Sequence, residues 1–117
     1  MNKQNRSPVV QHCIQACQDC HALCIETVTH SLTMGGAHAQ PQHSAVLLDC
    51  AEMCHISEDS MLRSSPLDQT LCAACAAVCD ACATECERFT GDAQMEACAD
   101  RYRKCAAACR KMVSARP

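Results

Sequence analysis

Read for periodicity, the chain repeats inward-facing positions at alternating steps of three and four residues, the spacing that keeps one helix stripe turned toward a bundle core. In the first such stretch the stripe runs through Val10, Cys13, Cys17, Cys20, Cys24, Thr27, Ser31 and Met34. A second takes His43, Leu47, Cys50, Cys54, Ser57 and Met61; a third Asp68, Cys72, Cys75, Cys79, Cys82, Cys86 and Phe89; a fourth Met95, Cys98, Tyr102, Cys105, Cys109 and Met112. The punctuation agrees with this division. Ser7-Pro8 offers an N-cap followed by proline at the first helical position, and Gly35-Gly36 ends the stretch. Ser65-Pro66-Leu67-Asp68 repeats the Ser-Pro start with an acid three residues on, as in a capping box. Gly91 closes the third stretch and Asp92 caps the fourth. The pattern predicts helices over 8–34, 43–63, 66–89 and 92–113, within one domain spanning 1–117. Short connections make neighbours antiparallel, so the predicted fold is all-α: an up-down-up-down antiparallel four-helix bundle with a cysteine-lined core.

Composition makes this core unusual. The chain has 117 residues with 14 Cys and 19 Ala, but only 17 Leu, Ile, Val and Phe together, one Tyr and no Trp. The thiols therefore occupy space that large aliphatic side chains normally fill. All 14 lie on the inward stripe, and 12 form i,i+4 pairs: Cys13/Cys17, Cys20/Cys24, Cys50/Cys54, Cys75/Cys79, Cys82/Cys86 and Cys105/Cys109. A buried Cys serves well as a small hydrophobe. A whole core of them would leave voids, each costing stability, unless something fills the interior.

The polar N-terminal stretch, Met1 to Arg6, carries no apolar leader, and no 18-residue apolar span occurs, so a cytoplasmic location and no membrane partner are expected. Thiols stay reduced there, which favours soft-metal binding over disulfides. A net charge of −3 and few aromatics exclude nucleic acid as a partner. No enzymatic activity is expected.

Thiolates on i,i+4 residues can converge on one ion. Cu(I) is soft and accepts two or three thiolates, so one helix can supply a site. Zn(II) requires four tetrahedral ligands from more than one helix. Multiple Cu(I) ions are the expected cargo; metallothionein-like Zn or Cd buffering and a thiol redox reservoir are the alternatives. At one end Met34, His43 and Met95 are candidate softer ligands of a mouth, with His38 in the adjoining loop. Met61, Asp68 and Met112 mark the other end as filler or capping. His12, His21, His30 and His55 fall off the stripe and read as solvated or flanking residues. Tyr102 is placed to plug the core or to bond a thiolate.

These features resemble the bacterial cytosolic copper storage proteins, cysteine-rich four-helix bundles. The likeness rests on the cysteine register, on Cys24-Ile25-Glu26-Thr27-Val28-Thr29-His30, Asp49-Cys50-Ala51-Glu52-Met53-Cys54 and Met61-Leu62-Arg63, and on the stretch from Cys98 to Cys109 with Met112. The resemblance implies a homotetramer of bundles, each storing many Cu(I) ions without catalysis, and exchange with a copper chaperone or small thiol is the accompanying expectation. Two positions depart from the family: Ser31, where relatives can carry another Cys, and Asp68, near where some carry His. Both imply a smaller load or an altered end.

Overall fold

The first and last helices start where a side chain accepts from their first free N–H groups. In the computed structural model, which describes residues 6–115, the Ser7 hydroxyl accepts from the Val10 N–H at 3.3 Å and opens α1, Pro8–Met34. Gly35, at φ 72, ends it in a backbone conformation that L side chains rarely adopt. A short 3-10 turn, Gly36–Ala39, leads into α2, Pro41–Leu62, which begins two residues before the predicted His43 because Pro41 serves as a first-turn proline. The third helix, α3, is shorter than predicted, Asp68–Glu87. The Ser65 hydroxyl accepts from the Leu67 N–H at 3.1 Å and forms a turn, so the helix starts at Asp68 and not at Pro66. At its other end Arg88–Phe89 bends away toward Gly91, φ 86. The fourth helix, α4, covers Ala93–Ala115.

Asp92 caps α4 as its position predicts. One carboxylate oxygen accepts from the Gln94 and Met95 N–H groups, both at 3.1 Å. The Met95 N–H, joined by His38, holds the Asp92 carboxyl below the usual carboxylate range. Asp92→Ala should therefore destabilise the protein by about 1 kcal/mol in urea unfolding, and Asp92→Asn by less. The depressed pKa fixes the sign of the pH dependence. The cap's contribution is complete above the ordinary carboxylate pKa and is lost as pH falls through and below it.

α1 packs on α2 and α4, and α3 packs on α2 and α4, closing a ring 46 × 21 × 19 Å in extent. Contacts between early α1 and late α4 (Cys13 with Cys109), late α1 and early α2 (Ser31 with His43), and late α2 and early α3 (Ser57 with Cys72) make each neighbouring pair antiparallel. The stripe forms the core as predicted: all 14 cysteines are buried. Ala51, Ala76, Ala83, Ala99 and Ala106 flank it and let the helices approach closely. Outside, Arg103 ties α4 to Asp80 and Glu87 of α3, and Arg110 reaches Asp80. Such exposed pairs contribute little to stability.

Candidate metal centre

The sulfurs form a connected set along the bundle axis. Cys13 lies 3.7 Å from Cys109, and Cys17 lies 3.9 Å from the same sulfur. Cys79 is within 4.0 Å of Cys20, Cys50, Cys54 and Cys75, and Cys75 is 3.8 Å from Cys54. Four groups of thiols converge with every sulfur within 4.8 Å of the others: Cys17/Cys75/Cys105/Cys109, Cys20/Cys50/Cys54/Cys79, Cys54/Cys75/Cys79/Cys105 and Cys24/Cys50/Cys82. Each group draws on three helices. The i,i+4 pairs supply parts of groups, but the tertiary fold supplies the remaining ligands. The first three groups share members, so a sulfur can bridge two ions.

Burial and sulfur neighbours make these thiols titrate as one set. Cys54 and Cys109 are pushed above the usual thiol range, first by Cys105 and then by other sulfurs and burial. Cys17 and Cys79 are pulled below it, with Cys105 again the leading partner. A proton removed anywhere changes the cost of removing the next, and a monovalent soft cation relieves that repulsion directly. The donor set, buried and almost wholly sulfur, suits such an ion.

The end that holds His43 differs from expectation. His43 and Met95 are fully buried, but Met34 is 55% exposed, because α1 stops there and Gly35 turns the chain away. His43 Nδ1 meets a Glu85 carboxylate oxygen at 2.9 Å, and Nε2 meets the Ser31 hydroxyl at 3.0 Å. The Phe89 ring packs across it with centroids 4.9 Å apart. Burial raises the Glu85 carboxyl, but hydrogen bonds from Arg88 and His43 outweigh it and leave the group below its usual range. So Ser31, on the stripe where a further sulfur was conceivable, holds a histidine instead.

His38 Nε2 sits 2.9 Å from Asp92, and His30 Nε2 lies 4.0 Å from the same oxygen, so His30 is a flanking residue as expected. His12 and His55 are exposed; His21 contacts the Ala51 carbonyl at 3.0 Å. At the other end Met61, Asp68 and Met112 are buried, in keeping with filler. Tyr102, fully buried, donates its O–H to Thr27 at 3.1 Å and also faces the Cys24 thiol. Sequence reasoning did not single out Glu85 or the role of Thr27. Thr27 was visible as a polar stripe position; Glu85 lies off the stripe and gave no signal.

Three comparisons bear on this site. A family described as copper storage protein matches residues 6–114. A Bacillus subtilis protein described as an uncharacterized cysteine-rich protein, YhjQ, is 34% identical over 102 residues, covering 87% of this chain and 94% of its own length. Among solved structures, a Nitrosospira multiformis protein superposes with a TM-score of 0.84 at 38% identity, covering 92% of this chain and 97% of that one. The Cu(I)-bound copper storage protein BsCsp3 superposes with a TM-score of 0.82 at 33% identity, covering 90% and 98% respectively.

Proposed function

Because the chain belongs to the copper storage protein family, we propose that it stores multiple Cu(I) ions on thiolates that line the core of its four-helix bundle. The carrying observation is the connected, buried sulfur set, with three overlapping groups of four thiols. Sulfurs 3.7–4.0 Å apart are unbonded, and every cysteine is free. Thiolates at this spacing can close on bridging Cu(I) with small side-chain rotations. All 14 cysteines act as ligands in this reading, with Met95 as a softer donor at one end, which His43 joins only by releasing Ser31 or Glu85.

Storage proceeds without turnover: the chain binds, holds and releases ions, and no bond of a substrate changes. Within the proposed single domain, 1–117, Cu(I) is the cargo. A reducing cytoplasm is the compartment in which 14 free thiols persist. No helix among the described residues is long and apolar enough to cross a membrane. The exposed Ile25, Leu32, Leu48 and Ile56 on α1 and α2 support assembly of bundles into the homotetramer implied by family resemblance. A copper chaperone or a small thiol would deliver and withdraw the ions.

Anaerobic titration of the reduced protein with Cu(I), followed by native mass spectrometry, tests the reading. Loading should continue to about one Cu(I) per thiol, with loss of one proton per thiol engaged. Saturation at one or two equivalents would overturn it. Protein taken from cells without oxygen should carry copper adducts; paired hydrogen losses in their place would indicate a disulfide reservoir.

A further inference from the structure

The geometry points to two copper compartments of unequal size within the core, divided by a sulfur-free layer of Tyr102, Leu47 and Thr27. The larger holds the thiols from Cys13 and Cys72 up to Cys24 and Cys82; the smaller is the terminal pair Cys86 and Cys98. The division rests on the storage reading above and adds an order of filling and emptying to it.

Three of the four helices lose their sulfur at one level. On α4, Tyr102 stands between Cys98 and Cys105, which are roughly 10 Å apart along the axis at 1.5 Å per residue. On α2, Leu47 separates Cys50 from His43, and on α1 Thr27 follows Cys24 and precedes Ser31. All three residues are at most 1% exposed, so they fill the interior. Their arrangement is held by hydrogen bonds. The Thr27 hydroxyl donates to the Leu23 carbonyl at 2.7 Å and accepts from the Tyr102 O–H at 3.1 Å. The phenol is thereby anchored across the bundle from α4 to α1.

The sulfur groups respect this layer. Every group of three or four converging thiols among the described residues lies on the Cys17-to-Cys82 side, and none includes Cys86 or Cys98. Cys13 joins the larger set through Cys109, and Cys72 interacts with Cys109 and Cys13. Across the layer, α3 provides a one-turn sulfur step from Cys82 to Cys86, and Cys24 acts on Cys98 only through its charge. Cys98 makes its close contact with the Thr27 oxygen, at 3.3 Å.

The chemistry of the two compartments follows from ligand count. In the larger one each ion can share thiolates with its neighbours and gain bridging Cu–S bonds. The terminal pair supplies two thiolates to about one ion, with no third cysteine among the described residues converging on it. Copper there fills last and leaves first, and the narrow Cys82–Cys86 step joins it to the store behind Tyr102.

Fully loaded protein, mixed without oxygen with an excess of a chromophoric Cu(I) chelator, reads this directly. Release should be biphasic, with a fast phase of about one ion. Serine already occupies the stripe at Ser31 and Ser57, so Cys-to-Ser changes suit this core. Cys86→Ser with Cys98→Ser should remove the fast phase and leave the slow rate unchanged. Cys17→Ser with Cys20→Ser should shrink the slow phase and leave the fast one. Tyr102→Cys, which puts sulfur into the layer, should merge the phases, and Tyr102→Phe, which keeps the ring, should preserve them. A single phase in the unmodified protein, or a fast phase that survives Cys86→Ser with Cys98→Ser, overturns the division. Initial loading of only one or two ions would instead overturn storage itself, so the two failures are distinct.

Discussion

Replacing Cys54 and Cys79 together with serine should remove more copper capacity than the two lost thiols account for. These two sulfurs belong to the same two groups of four, Cys20/Cys50/Cys54/Cys79 and Cys54/Cys75/Cys79/Cys105. Without them both groups fall to two thiolates, Cys20 with Cys50 and Cys75 with Cys105, while Cys17/Cys75/Cys105/Cys109 and Cys24/Cys50/Cys82 stay whole. Structural Zn²⁺ sites with four ligands bind with roughly 10–16 kcal/mol, so by analogy each missing ligand costs about 3 kcal/mol, or about a hundredfold in affinity, and each group here loses two. The matched control is Cys13→Ser with Cys72→Ser, which lie outside all four groups. That pair should lose no more than about one ion per thiol. Native mass spectrometry gives the counts, competition with a Cu(I) chelator the affinities, and circular dichroism the helix content. Equal losses from the two double variants would mean that the thiols act independently, and the shared-group arrangement would be wrong.

Copper loading should raise the melting temperature by tens of degrees. The apo core is built from thiols and Ala, with Leu47, Met61, Met95, Tyr102 and Met112 the main large side chains fully buried, so its own hydrophobic stabilisation is modest. A ligand that binds only the folded chain adds about 4 kcal/mol per site at a thousandfold excess over Kd. Each kcal/mol moves the midpoint of a domain this size by about 2–8 °C, so even two such sites shift it by about 20 °C or more. Anaerobic thermal scans of apo, loaded and chelator-stripped protein measure this, and stripping should restore the apo midpoint. A shift of only a few degrees would place the copper outside the core.

At Cys98 the apo and loaded states should also respond to pH with opposite signs. Burial raises the Cys98 thiol above its ordinary value. In the apo protein this contributes stability that is complete below the unfolded thiol pKa and is lost as pH rises through the folded one. Loaded protein has given its thiol protons up, so protons compete with copper and its stability falls as pH is lowered.

The helical period made the inward stripe legible because each side chain's direction about its own helix axis depends only on local spacing. That is why all 14 cysteines could be placed in the core from their positions, and why the Ser7 and Asp92 caps and the Gly35 stop were readable. The same local rule misplaced Met34, since a stripe says nothing about where the chain departs from the bundle. It also could not assign Ser31, His43 and Glu85 to one hydrogen-bonded set, because those residues come from three different helices.

By itself, then, the sequence determined a four-helix bundle with sulfur facing inward, and with it the soft-metal chemistry. The tertiary structure alone decided which sulfurs meet. The spacing offered i,i+4 pairs on single helices, but the converging groups each take thiols from three helices. Tyr102 was one stripe residue among many until its bond to Thr27 made it part of a layer across the core. The physical reason is the relative stagger and rotation of the helices. These depend on how four side-chain surfaces pack at once, a property that no single helix carries in its own periodicity.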